Sequence, residues 1–199
     1  ELVTNNDLVS LQMTFAFNRK NKFLKQEKIS IYGHSIECRV YAEDPSKNFL
    51  PSPGKISKLT FPKVPNGIRL DWGYDENDDV SFYYDPMIGK IISHDLVRED
   101  AVNKLINFLE KIVLKGIKTN IPFLISLLKD KNFINGTHNT KYIENNLNTL
   151  TSEINSDKNI LSEVAIDKKR IKIVETDKLK IVNNRSETET GGIKVVYFD

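Results

Sequence analysis

One cysteine, Cys38, stands among 199 residues. No internal disulfide can form, which fits a reducing compartment. No apolar run approaches the roughly 20 residues that a membrane-spanning helix needs, and no membrane partner is expected. An excess of either charge is also missing, since 29 Lys and Arg stand against 27 Asp and Glu for a net charge of +2. A polyanion partner does not follow from so small a surplus. The basic stretch Asn18-Arg19-Lys20-Asn21-Lys22 has no interleaved aromatics on which bases could stack, so it reads as a solvated loop and no nucleic acid is expected. The acidic stretch Asp75-Glu76-Asn77-Asp78-Asp79 lacks the glycine and distal glutamate of a calcium loop and reads as a turn, with no metal site expected. His138 lies in a polar loop without a second titratable partner. Glu1 is not an initiator methionine and no signal segment leads the chain, so the sequence reads as a piece of a longer polypeptide.

What is present is an ordinary globular composition, 39% hydrophobic and 28% charged, long enough for one domain with an appendage. The stretch around which it is organised is Gly33-His34-Ser35-Ile36-Glu37-Cys38-Arg39-Val40-Tyr41-Ala42-Glu43-Asp44-Pro45. Ile36, Cys38, Val40 and Ala42 alternate with Glu37, Arg39, Tyr41 and Glu43, the period of a strand with one buried face. Arg39 therefore shares a face with Glu37, Tyr41 and Glu43. A guanidinium flanked by carboxylates at two-residue spacing is held by charge-assisted bonds, and its planar fork can still be offered to an anion. An ordinary ion pair on a solvated strand would show the same alternation.

The remaining elements follow from pattern and punctuation. Residues 1–18 predict a helix that Asn5, Asn6 or Asp7 could start. Strands are expected at 55–61, 67–72, 80–84 and 87–93, with Ile68, Leu70 and Trp72 on one face and Arg69 and Asp71 on the other. Pro86 cannot donate to a ladder and marks a strand edge. Residues 98–114 predict a helix from Ala101, Leu105, Phe108, Leu109 and Ile112, and a second runs through Leu128 with Thr119 or Asn120 as cap and Pro122 in its first turn. Thr140-Lys141-Tyr142-Ile143-Glu144 reads as a short helix start. Residues 152–165 could form a polar helix, and Ile171-Lys172-Ile173, Leu179-Lys180-Ile181 and Ile193-Lys194-Val195 look like short strands. Clustered strands followed by clustered helices predict an α+β fold, an antiparallel β-sheet packed with helices over residues 1–146. Residues 147–199 read as a connector and the start of a mainly β linker segment.

Five motifs stand in one order along the chain: the Gly33–Pro45 stretch, Asn48-Phe49-Leu50-Pro51-Ser52-Pro53-Gly54-Lys55-Ile56, Tyr83-Tyr84-Asp85-Pro86-Met87-Ile88 with Lys90, Arg98-Glu99, and Gly116-Ile117-Lys118-Thr119-Asn120-Ile121. Together they closely resemble the C-terminal domain of the biotin carboxylase family, the ATP-grasp enzymes that carboxylate biotin in acyl-CoA and pyruvate carboxylases. The resemblance covers residues 1–146. Where the family usually has glycine, this chain has Asn5, the residue next most tolerant of positive backbone angles.

The resemblance implies a mechanism. ATP, with Mg2+ or Mn2+, activates bicarbonate, a base deprotonates the ureido nitrogen of biotin, and CO2 is transferred to it. Arg39 matches the family's catalytic arginine, which stabilises charge on the ureido oxygen and borders the bicarbonate; Glu37, Tyr41 and Glu43 would hold it. Asp85 is expected either in a structural salt bridge or in the biotin pocket. Thr140 falls near the adenine of the nucleotide, or simply caps the last helix. The glycine-rich loop, phosphate-binding lysines, metal-binding glutamates and base of the family have no counterpart in residues 1–199, so the piece alone is expected to be inactive. No lysine sits in an Ala-Met-Lys-Met setting, so the biotin carrier is expected elsewhere. The implied parent is an acyl-CoA carboxylase α chain, with pyruvate carboxylase as the alternative. Implied partners are the ATP-grasp and N-terminal domains, the biotin carboxyl carrier domain, a carboxyltransferase subunit and a second copy in a homodimer. The implied location is intracellular, in a bacterial cytoplasm or a mitochondrial or plastid matrix. A non-catalytic dimerisation or assembly module is the reading from another class, and it would show an exposed apolar surface.

Overall fold

The computed structural model of the chain describes residues 1–17 and 25–152. The basic loop at 18–22, the helix expected across 152–165 and the three short strands beyond it fall outside those residues, apart from Ser152. The first helix, α1, runs Leu8–Phe17 rather than from residue 1. Asn5 takes a positive φ of 53°. The Asp7 carboxylate then accepts the Ser10 amide at 2.8 Å and the Glu1 carboxylate accepts that of Leu8 at 3.0 Å, satisfying the free N–H groups of the first turn.

The strands are β1 (His34–Tyr41), β2 (Glu43–Asp44), β3 (Leu50–Pro51), β4 (Gly54–Lys55), β5 (Lys58–Thr60), β6 (Ile68–Trp72), β7 (Asp79–Val80), β8 (Met87–Asp95) and β9 (Val113–Lys115). The helices after α1 are α2 (Arg98–Leu109), α3 (Ile121–Lys129), the single turn α4 (Lys131–Ile134), and α5, helical over 142–152. All pairing is antiparallel. The expected single five-stranded sheet is divided: β1, β8 and β6 form one sheet with β8 in the middle, while β2 pairs β3, β4 pairs β7 and β5 pairs β9.

Two boundaries differ from expectation for local reasons. The helix expected to reach residue 114 ends at Leu109. The β-branched pair Ile112-Val113 favours extension, and residues 113–115 pair with Lys58–Thr60. The strand expected at 80–84 stops at Val80. Here Ser81 Oγ accepts the Tyr83 amide at 3.0 Å and the Asp85 carboxylate accepts the Met87 amide at 2.8 Å, so side chains turn the backbone before a ladder can form.

The alternation of β1 is realised as read. Ile36, Cys38, Val40 and Ala42 are buried, and they pack with Ile68, Ile88 and Ile91 against Ala101, Val102, Leu105, Phe108 and Leu109 of α2. Each fully buried aliphatic side chain of this kind contributes about 1.5–3 kcal/mol of transfer free energy. With the inward face so filled, the opposite face of the sheet is left to Glu37, Arg39, Lys90, Arg69 and Asp71.

Candidate functional site

The register places these side chains in two rows across the sheet. Glu37 stands opposite Ile92 and then Arg69; Arg39 stands opposite Lys90 and then Asp71. Arg39 Nε donates to Glu37 Oε1 at 3.0 Å, with the arginine side chain still 60% exposed. Glu37 first, and Tyr41 second, hold the Arg39 pKa above its ordinary value. On β6, Arg69 donates to Asp71 at 2.9 Å and to Glu1 at 2.8 Å. Among the described residues Lys90 has no ion-pair partner. It stands directly opposite Arg39, an arrangement that costs stability in a sheet unless an anion relieves it.

The regular ladder of β1 ends at Val40, one residue past Arg39. Val40 pairs with Gly89 but Tyr41 pairs with Met87, a bulge that leaves Ile88 without an opposite residue. Bulges bend a strand and re-aim the side chains beside them. Beyond Tyr41 the chain leaves β1, and Glu43 stands on β2, paired with β3. Among the described residues Glu43 makes no ion pair, and it is not among the groups acting on the Arg39 guanidinium, so the expectation that it helps to hold Arg39 is not met. Partial burial first, and the Asp85 carboxylate second, raise the Glu43 pKa instead. Asp85 is exposed, and no salt bridge forms to it among the described residues. Beside it Phe82, Tyr83 and Tyr84 are 73%, 87% and 80% exposed, large apolar surface that the described residues leave uncovered.

Thr140 lies apart from this cluster. It is exposed just before α5 and has no hydrogen-bond partner among the described residues. The turn is made by Asn139, whose side chain accepts the Lys141 amide at 3.0 Å. Nearby, Asp130 caps α4 by accepting the Asn132 and Phe133 amides and takes the Tyr142 hydroxyl at 2.8 Å. Burial pushes its carboxyl up, but those hydrogen bonds outweigh burial and the pKa is lowered.

Sequence reasoning treats Asn120 as a helix cap only. It precedes α3 without a side-chain capping bond. Instead its Oδ1 accepts the Tyr41 amide at 2.9 Å, its Nδ2 donates to the Arg39 carbonyl at 3.1 Å, and its own N–H donates to the Tyr41 carbonyl at 3.1 Å. The two side-chain contacts span 79 and 81 residues, so no local pattern could announce them. Among the described residues no three His, Cys, Asp or Glu side chains gather as metal ligands, and no helix is long and apolar enough to cross a membrane. What the cluster offers chemically is a fixed guanidinium with a neighbouring ammonium on an open sheet face, suited to an oxyanion.

Comparison with known proteins bears on the same stretch. The family model for the biotin carboxylase C-terminal domain matches residues 37–145. Biotin carboxylase 1 of Bacillus subtilis is 40% identical over 144 residues, 72% of this chain and 32% of that protein. The mitochondrial propionyl-CoA carboxylase alpha chain of Caenorhabditis elegans is 38% identical over 144 residues, 72% of this chain and 20% of its own length. Among solved structures, the biotin carboxylase domain dimer of Hydrogenobacter thermophilus 2-oxoglutarate carboxylase, in complex with MgADP, ADP and bicarbonate, superposes with a TM-score of 0.70 at 37% identity. It is matched over 75% of this chain and 33% of its own. The chain thus spans about a third or less of the relatives it matches. With an α+β fold, an antiparallel register around Arg39 and a family match covering more than half its length, this chain belongs to the biotin carboxylase C-terminal domain family.

Proposed function

We propose that this chain supplies the C-terminal part of a biotin carboxylase active site and that Arg39 is its catalytic residue. The observation that carries the reading is the Arg39–Glu37 pair at 3.0 Å on the solvent-facing side of β1, a cation held from one side and open on the other. Biotin, when bound, supplies a ureido group whose nitrogen takes up CO2 and whose oxygen gains negative charge. Donors already fixed toward that oxygen stabilise the charge without reorganising at the moment of reaction. Glu37 orients the guanidinium, and Lys90 adds positive charge on the bicarbonate side. Asp85, whose negative charge bears on the carboxylate of Glu43, is assigned to the biotin side, where a cation from outside this chain would balance the two. Thr140 is assigned to the edge of the nucleotide site. ATP and its Mg2+ or Mn2+ are held by an ATP-grasp portion of the enzyme, and biotin arrives on a carrier domain. The relationship to the propionyl-CoA carboxylase alpha chain supports an acyl-CoA carboxylase as parent, with a carboxyltransferase subunit, a homodimer and an intracellular setting as its corollaries.

The test is made on the enzyme in which residues 1–199 stand together with the ATP-grasp portion. Arg39→Ala is expected to lower biotin carboxylation about a hundredfold, the scale for one lost oxyanion donor, while nucleotide binding is retained. Normal carboxylation by that variant would overturn the assignment and leave Arg39 as a strand-face ion pair. Residues 1–199 alone are expected to show neither ATP cleavage nor biotin carboxylation.

A further inference from the structure

We infer that Asn120 is a positioning residue, which acts on the reaction by fixing the backbone from which Arg39 projects. This rests on the reading of Arg39 given above. Asn is among the favoured residues for capping its own helix, and Asn120 sits at the start of α3, yet its side chain makes no capping bond there. Both ends of the amide are turned to β1. They take the Arg39 carbonyl and the Tyr41 amide, the groups on either side of Val40. Those groups lie on the edge of β1 away from β8, where no strand is paired with it.

The position along β1 matters as much as the bonds. The register shift falls between Val40 and Tyr41, so the ladder to β8 is interrupted one residue after Arg39. The extra residue, Ile88, stands on β8, and beyond Val40 the disrupted ladder holds β1 less continuously from that side. Asn120 holds it from the other edge. It is 6% exposed, in surroundings where a hydrogen bond lost from one partner leaves the other unsatisfied. The backbone behind it is fixed too. Gly116 has a φ of 104° and passes so close to Lys55 that any side chain would collide with its carbonyl, and Ile117 is buried in the core. The clamp is therefore anchored to the core, and the guanidinium inherits its placement from a residue that does not touch it.

The experiment uses the enzyme containing this chain and the ATP-grasp portion, comparing Asn120→Ala, Arg39→Ala and the double variant. Asn120→Ala is expected to lower kcat for biotin carboxylation by roughly 10- to 100-fold, the scale for displacing a positioned group by about an ångström, with KM for ATP unchanged. The double variant should be no worse than Arg39→Ala, because both remove the same contribution. Asn120→Asp keeps an acceptor for the Tyr41 amide but loses the donor to the Arg39 carbonyl, and should fall on the side of Asn120→Ala. In residues 1–199 the Tyr41 amide of Asn120→Ala should exchange about tenfold faster while Ile91 and Leu105 amides keep their protection. If Arg39→Ala is defective but Asn120→Ala lowers only the melting temperature and keeps kcat, Asn120 merely docks α3 and the inference is wrong. If Arg39→Ala is itself silent, the reading of Arg39 fails first and takes the inference with it. Should Asn120→Ala not fold, the wild-type Tyr41 amide decides: protection equal to the β1–β8 ladder supports the clamp, and exchange at the rate of an open edge overturns it.

Discussion

At the scale of the residue, Cys38 and Arg39 are chain neighbours with opposite environments, and the contrast is testable. Cys38 points into the core, and burial first, with the Glu37 charge second, pushes its thiol up to about 12. A raised thiol pKa means that the folded state holds its proton more tightly than the unfolded state. The associated stability is full below the ordinary thiol pKa and is lost as pH rises through about 12. Wild-type melting temperature should therefore fall more steeply between pH 9 and pH 11 than that of Cys38→Ala; equal slopes would show that the thiol is not shielded. At pH 8 alkylation of the native thiol should be about a thousandfold slower than in urea, since only the thiolate reacts. This much was legible from alternation alone, because burial of one strand face follows from period two. The partners on the other face were only half legible. Glu37 and Tyr41 act on Arg39, whereas Glu43 lies beyond the end of β1 and pairs with Pro51, and the unbroken alternation carries no local mark of that break.

At the scale of the element, β8 organises the sheet, and its narrowest point is Gly89. Gly89 lies between Val40 and Trp72 in the register, and a methyl group there would run into the Trp72 indole. Trp72 is in turn fixed edge-on to Phe61, with centroids 4.9 Å apart. Gly89→Ala is expected to cost about 1–3 kcal/mol, the range for overpacking a filled site. Gly73→Ala, whose new carbon would stand 3.7 Å from the Ile88 carbonyl, should stay within about 0.5 kcal/mol. Urea denaturation of the two variants checks the pair, and equal losses would mean that Trp72 moves aside without penalty. Element existence was largely visible in the sequence, since β1, β6, β8, α2 and α3 follow their hydrophobic periods. The division into one three-stranded sheet and three pairs was not. Which strands pair depends on contacts far apart in the chain, such as Leu59 with Leu114, and the run from 110 to 115 fits helix or strand equally until that partner is known.

At the scale of the whole molecule, the described fold has a filled core and an unfilled exterior. Every core residue of the larger cluster comes from residues 36–128, while α1 buries none of its ten residues. Leu8, Val9, Leu11, Met13, Phe15 and Phe17 of that helix are all exposed. A helix that is apolar on its surface and buries no residue among those described gains stability from further packing on that face. The chain spans about a third or less of the length of its relatives, and under the function proposed above that packing comes from the ATP-grasp portion. Two consequences follow for residues 1–199 alone. Val9→Glu with Phe17→Lys should leave the thermal unfolding of the core within about 1 °C, because both side chains are exposed and surface substitutions away from packed features change stability little. The same variant should bind a hydrophobic dye less and resist concentration-dependent association better than wild type, because the exposed apolar area is what drives both. A melting temperature lowered by several degrees would show instead that α1 belongs to the core of this domain.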